Sequence, residues 1–150
     1  LLREALVAQG RAALGRLPPA ERRGNILLIM MGQLLRDIGK LEEARPLFEE
    51  VLQGKRETLG DRHPETLYAI GWLADLLERQ GKPVEAIPLY TEELEGCVLR
   101  YGMEHAATRQ SAKRLVSSLR KVGQREKAKA LANKHGLAGK AKRPAGRIFF

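Results

Sequence analysis

Three stretches decide the reading of this sequence: GKLEEARPLF (Gly39–Phe48), GKPVEAIPLY (Gly81–Tyr90) and GQREKAKALA (Gly123–Ala132). Their glycines are 42 residues apart, and so are Ala44, Ala86 and Ala128, and Leu47, Leu89 and Leu131. The match extends outward through Leu52/Leu94, Gly60/Gly102, His63/His105 and Thr66/Thr108. A fixed period of this length marks a stack of like units, each too small to bury its own apolar face.

Each unit reads as two helices. Ahead of the glycines run apolar or small residues at i, i+3, i+4, i+7: Leu28, Met31, Gly32, Leu35, then Ile70, Leu73, Ala74, Leu77, then Ala112, Leu115, Val116, Leu119. That spacing puts one buried stripe on a helix. The glycine that follows suits a left-handed C-terminal cap, where a Cβ is penalised. A second amphipathic helix comes next, with Ala44, Leu47, Phe48, Val51 and Leu52 in one unit and Ala86, Leu89, Tyr90 and Leu94 in the following one. Gly32, Ala74 and Val116 stand twelve positions before Ala44, Ala86 and Ala128, so small side chains on both helices permit close antiparallel packing. Val116 predicts a looser third unit. Pro46 and Pro88 fall inside second helices, where proline removes a hydrogen bond, and predict a slight bend there.

The link LGDRHPETL (Leu59–Leu67) gathers Asp61, Arg62, His63 and Glu65 as a reactive site would. Its copy, YGMEHAATR (Tyr101–Arg109), keeps Gly102, His105 and Thr108 and loses the acids. Only the turn residues persist, so the link is mechanical. Pro64 suits a first helical position and Glu65 the positive end of the helix dipole. The third unit, lacking that proline, has the weaker start.

A small residue, an alanine twelve positions on and an aromatic four beyond (Phe48, Tyr90) resemble the tetratricopeptide repeat (TPR). The 42-residue period, the LG-x-x-HP-x-T link and the GK-x-x-EA-x-PL run resemble the long-helix variety of kinesin light chains and nephrocystin-like proteins. The resemblance covers roughly residues 24–135 and implies an all-α fold, a right-handed α-solenoid of antiparallel helix pairs. The expected organisation is the second helix of a preceding repeat (1–14), a linker (15–23), three units (24–60, 61–102 and 103–136) and a basic tail (137–150). The sequence begins inside a helix without an initiator Met, as a segment of a longer or matured protein would.

The net charge of +9 is unevenly placed: from Arg109 onward thirteen Lys and Arg face one acid, Glu126. Such a basic third invites contact with phosphate backbone, acidic protein or an anionic surface. It holds no aromatic before Phe149 and Phe150, so it offers no stacking platform for bases. Within the tail, Lys140, Lys142, Arg143, Arg147, Phe149 and Phe150 are the expected docking residues. A single cysteine, Cys97, fits an intracellular, reducing compartment, the cytoplasm or an organelle interior. The longest apolar run, Ile26–Met31, is six residues and does not span a bilayer.

No P-loop, dinucleotide loop, HExxH, CxxC or GxSxG motif occurs, and His63, His105 and His135 are not spaced to share a metal. The expectation is a non-catalytic scaffold or adaptor, with no cofactor, metal or small-molecule substrate. The resemblance implies that the first helices line a concave face that receives a protein segment. Met30, Gln33, Tyr68, Trp72, Asp75, Arg79, Arg114 and Lys121 lie on that face, with Gln110 in the same register. Tyr68 and Trp72, one turn apart, are the expected aromatic anchors, although Trp72 equally suits packing on the neighbouring unit. Kinesin-light-chain repeats carry an asparagine pair that contacts ligand backbone. Here those positions read Ile29-Met30, Gly71-Trp72 and Lys113-Arg114, so the scaffold matches and the recognition residues do not. The alternatives are an accessory subunit docking onto a ribonucleoprotein or membrane complex through the basic third and tail, and a plain spacer.

Overall fold

The computed structural model describes residues 1–137. The tail residues named above, Lys140 to Phe150, lie outside that range. Within it the chain forms α1 (Leu2–Gly15), α2 (Pro19–Arg23), α3 (Ile26–Asp37), α4 (Leu41–Leu59), α5 (Pro64–Arg79), α6 (Pro83–Tyr101), α7 (Ala106–Lys121) and α8 (Arg125–Lys134). No strand occurs among the described residues. Helices pack in chain order, α3 on α4 through to α7 on α8, while α1 lies on α3 and α2 on α4. This is the quasi-one-dimensional arrangement of a solenoid, in which each unit touches only its neighbours.

The repeated glycines end the first helices as their chemistry requires. Gly39, Gly81 and Gly123 have φ of 81°, 74° and 79°. Around each, the chain closes the same pair of bonds: Lys40 N–H donates to the Leu35 carbonyl (2.8 Å) and Gly39 N–H to Arg36 (3.1 Å), with equivalents at Lys82/Leu77 and Gln124/Leu119. These are Schellman caps, which satisfy carbonyls left over at a helix end.

The core follows from the stripes. Leu28, Met31 and Leu35 of α3, Ile70, Ala74 and Leu77 of α5, and Leu115, Val116 and Leu119 of α7 are buried, in one cluster with Ala44, Ala86 and Ala128 of the second helices. Gly32 lies against Phe48, whose ring would come 3.0 Å from a Cβ placed there. α4 and α6 run uninterrupted through Pro46 and Pro88.

Two features differ from the expected outline. The stretch read as a linker contains α2, started by Pro19 at the first helical position after extended Pro18. It is held to α4 by ion pairs from Arg22 to Glu50 (3.0 Å) and Arg23 to Glu57 (2.9 Å). Gly54 makes room for it, since a Cβ there would meet the Arg23 carbonyl oxygen at 2.8 Å. At the other end α8 has 10 residues where α4 and α6 have 19. It closes in a fourth cap, with Gly136 at φ 61° and Leu137 N–H bonded to Ala132.

Candidate binding site at the seam of the second and third units

Both links that set the seams are built alike. His63 precedes α5 with extended backbone and its Nδ1 accepts from the Glu65 N–H at 3.3 Å. His105 does the same for the Ala107 N–H at 3.2 Å. Thr66 and Thr108, both fully buried, each donate a hydroxyl hydrogen bond of 2.7 Å to the carbonyls of Gly60 and Gly102. The histidines are therefore helix caps, and the threonines clamp each link to the helix it starts. That accounts for the three positions that persist between the two copies.

Beside the second link, α5, α6 and α7 line a part-open cavity of about 70 Å³. Pro64, Leu67 and Tyr68 line it from α5, Glu93, Cys97 and Tyr101 from α6, and Ala107, Gln110, Ser111 and Arg114 from α7. Its walls are largely apolar, and its polar groups centre on one pair. Arg114 Nη1 donates to Glu93 Oε1 at 3.0 Å. Glu93 is only 5% exposed, and its other oxygen, Oε2, has no hydrogen-bond partner. Burial pushes the Glu93 carboxyl above the usual carboxylate range, while the Arg114 charge and the Ser111 hydroxyl pull it back. Burial likewise raises the Cys97 thiol, whose sulfur lies 3.6 Å from the Ser111 oxygen.

Gly71 shapes the site. A Cβ at that position would stand 2.8 Å from Glu93 Oε1 and 3.0 Å from Arg114 Nη1. Two of the positions where the sequence departs from the asparagine pattern, Gly71 and Arg114, thus face one another: the first vacates the space that the second fills.

The residues expected on one face are divided among several surroundings. Tyr68, 60% exposed, and Arg114 come together at the cavity. Trp72 is half-buried, its ring centroid 6.3 Å from that of Phe48 in the preceding unit. Asp75 and Arg79 pair with each other at 2.9 Å, and Lys121 is tied to Glu78 at 3.0 Å. Met30, 58% exposed, borders a separate apolar groove between α1 and α3, and Gln33 is half-buried on α3.

Glu93 was missed by sequence reasoning, although the repeat carried the signal. Forty-two residues earlier stands Val51, a core residue 1% exposed. A carboxylate at the register position of a core valine is the mark of a buried acid with a dedicated partner.

Paired antiparallel helices, capped by repeated glycines and stacked so that adjoining units share grooves, define an α-solenoid of the protein-interaction class. Family models described as tetratricopeptide repeat match residues 22–97 and 64–144. The chain belongs to the tetratricopeptide repeat family.

Solved structures with kinesin-light-chain-like repeats share its fold. The nearly identical TPR-like repeats of a Podosopora anserina protein assigned as a kinesin light chain superpose with a TM-score of 0.70 at 23% identity, over 95% of this chain and 66% of that one. BtubC (BKLC) from P. vanneervenii superposes with a TM-score of 0.73 at 16% identity, over 95% of this chain and 58% of that one. At such identities the likeness is one of fold, and the chain spans less than two thirds of either protein. No curated protein matches the sequence. None of the described helices is long and apolar enough to cross a membrane.

Proposed function

We propose that the chain is a non-catalytic adaptor that holds a partner protein segment along the face of its first helices, centred on the cavity between α5 and α7. One observation supports this above others. Two residues expected on that face, Tyr68 and Arg114, border the same apolar-walled cavity, beside the buried Glu93 carboxylate. Concave, mostly apolar sites with a few convergent polar groups are where ligands and side chains bind.

Tyr68 is the residue to test. Trp72→Ala removes the contact with Phe48 as well as any partner contact, so it confounds the two. A photo-crosslinking amino acid at position 68 should trap a partner in cells, while the same group at exposed Glu95 on α6 should not. Equal trapping from both positions would remove the groove from the account.

The basic third supports a second reading, docking onto an acidic or phosphate-bearing assembly. Arg109, Lys113, Arg120, Arg125, Lys127, Lys129 and Lys134 make no ion pair among the described residues. Arg120, Arg125 and Lys129 border one open cleft with Asn133. Binding through this surface falls steeply as salt rises. Salt-insensitive binding that survives removal of residues 137–150 would exclude it.

A further inference from the structure

The seam between the second and third units shows what the outward face of the third unit is shaped to receive. Gly71 of α5 faces Arg114 of α7, and Glu78 of α5 bonds Ser118 and Lys121 of α7. One period later, Lys113 stands at the register of Gly71, and Arg120 at that of Glu78. Likewise Arg109 replaces Leu67, which is 4% exposed, and Lys129 replaces Ile87, a half-buried side chain packed on the core. These bases are all exposed, and none makes an ion pair among the described residues. A small, apolar and acidic seam has become a basic face at the end of the described stack.

Solubility alone does not account for this face. A solvated surface mixes both signs, as α4 and α6 do through Arg45–Glu49 and Arg56–Glu92. A single-sign field repels itself and attracts the opposite charge. Glu126 is the one acid on α7 and α8, and residues 138–150 add Lys140, Lys142, Arg143 and Arg147 but no acid. A further unit built like the third would set its counterparts of Arg114 and Lys121 against Lys113 and Arg120, which like-charge repulsion disfavours. Among the described residues, α7 and α8 expose no large apolar side chain. The face therefore offers neither a stacking platform for bases nor an anchor in lipid.

We propose that this end face docks an acidic α-helix of a partner protein. Its shape is that of a helix seat, since α7 fills the equivalent place by packing on α6 and reaching α5. Because α8 is short, the seat runs chiefly along α7. Lys113 and Arg120 are seven residues apart, as are Arg114 and Lys121. The occupant therefore carries Glu or Asp two turns apart on one face, with a third acid between them. Arg120, Arg125, Lys129 and Asn133 border an open cleft that takes one end of that stripe. The assignment rests on the reading that the basic third docks onto an acidic or phosphate-bearing assembly, and it names the partner as a protein helix.

The test uses the whole chain, isotope-labelled for NMR, and defined probes. One is an Ala-rich helical peptide with Glu at i, i+3, i+7 and i+10, a single face. Its controls are the same residues with Glu spread around the helix, a uridine oligonucleotide of equal charge, and phosphatidylserine vesicles followed by co-sedimentation. The striped peptide should shift the backbone amides of Arg109, Lys113, Arg120 and Lys129, and bind at least about fivefold more tightly than the spread one. Lys113→Glu combined with Arg120→Glu, both exposed, should weaken it at least about tenfold. Arg3→Glu combined with Arg16→Glu makes the same charge change on exposed residues of the first helix and its cap, and should leave most of the affinity. Equal loss in the two variants, or equal binding of the two peptides, overturns the proposal, because net charge alone then accounts for binding. Tighter binding of the oligonucleotide or the vesicles also overturns it, in favour of a phosphate surface, and leaves the reading of the basic third standing. If no probe binds even at low salt, the proposal and that reading fail together.

Discussion

A single side chain, Glu93, separates what repetition predicts from what this chain does. Its register belongs to Val51, and its cost is evident in the upward push that burial gives its carboxyl. The sign of its effect on stability follows. An acid whose folded-state pKa lies above its unfolded value binds protons more readily when folded, so stability falls as pH rises through the window between the two. That window opens at the ordinary carboxylate range and closes at the raised folded value. Glu93→Gln removes this one slope. Relative to the parent, the variant should therefore gain stability as pH is raised through the window, as measured by urea unfolding at a series of pH values. A difference that is flat, or that runs the other way, would mean that Arg114 compensates the charge fully. Exposed Glu57 and Glu65, whose carboxyls are held low by neighbouring hydrogen bonds and cations, act in the opposite direction and cancel in the comparison.

At the scale of an element, the starts of α5 and α7 compare two solutions to one problem. Both have an extended histidine cap, with φ/ψ of −69°/142° at His63 and −68°/144° at His105. The backbone before each helix is thus already what a following proline demands. α5 begins with Pro64 and α7 with Ala106. Ala106→Pro should therefore stabilise the chain by about 0.4–1 kcal/mol, chiefly by restricting the unfolded state. Thermal unfolding would show it; a lowered midpoint would mean that the Tyr101–His105 ring stack, at 4.6 Å, depends on the present geometry. These starts were legible in the sequence because caps and turns are local: the residues that satisfy the backbone lie within six positions of it. α2 was missed for a related reason. With five residues it has no periodicity to read, and it is fixed by Glu50 and Glu57 on a distant helix.

Across the whole molecule, stability is distributed by position in the stack. α5 and α6 have a unit packed on either side, whereas α8 ends the described helices and is half the length of its counterparts. Along the outer helices, ion pairs join unit to unit: Arg11 to Glu43, Arg45 to Glu85 at 3.3 Å, and Arg56 to Glu92. All are largely exposed, and such pairs contribute about 0–1 kcal/mol each. The apolar seams dominate. Backbone amides of α5 and α6 should accordingly exchange with solvent most slowly and those of α8 fastest, in hydrogen-exchange mass spectrometry. Uniform protection across the helices would contradict the nearest-neighbour description.

By itself the sequence determined the helix pairs, their glycine caps, their 42-residue period and the family. Each depends on residues close along the chain or repeated at a fixed interval, so the pattern survives in one dimension. Only the tertiary structure decided how side chains meet across the seams. It turned Glu93 inward onto Arg114, set Gly71 against them both and placed Trp72 on Phe48. Those outcomes depend on how neighbouring helices meet across a seam, where side chains from three helices compete for the same small volume.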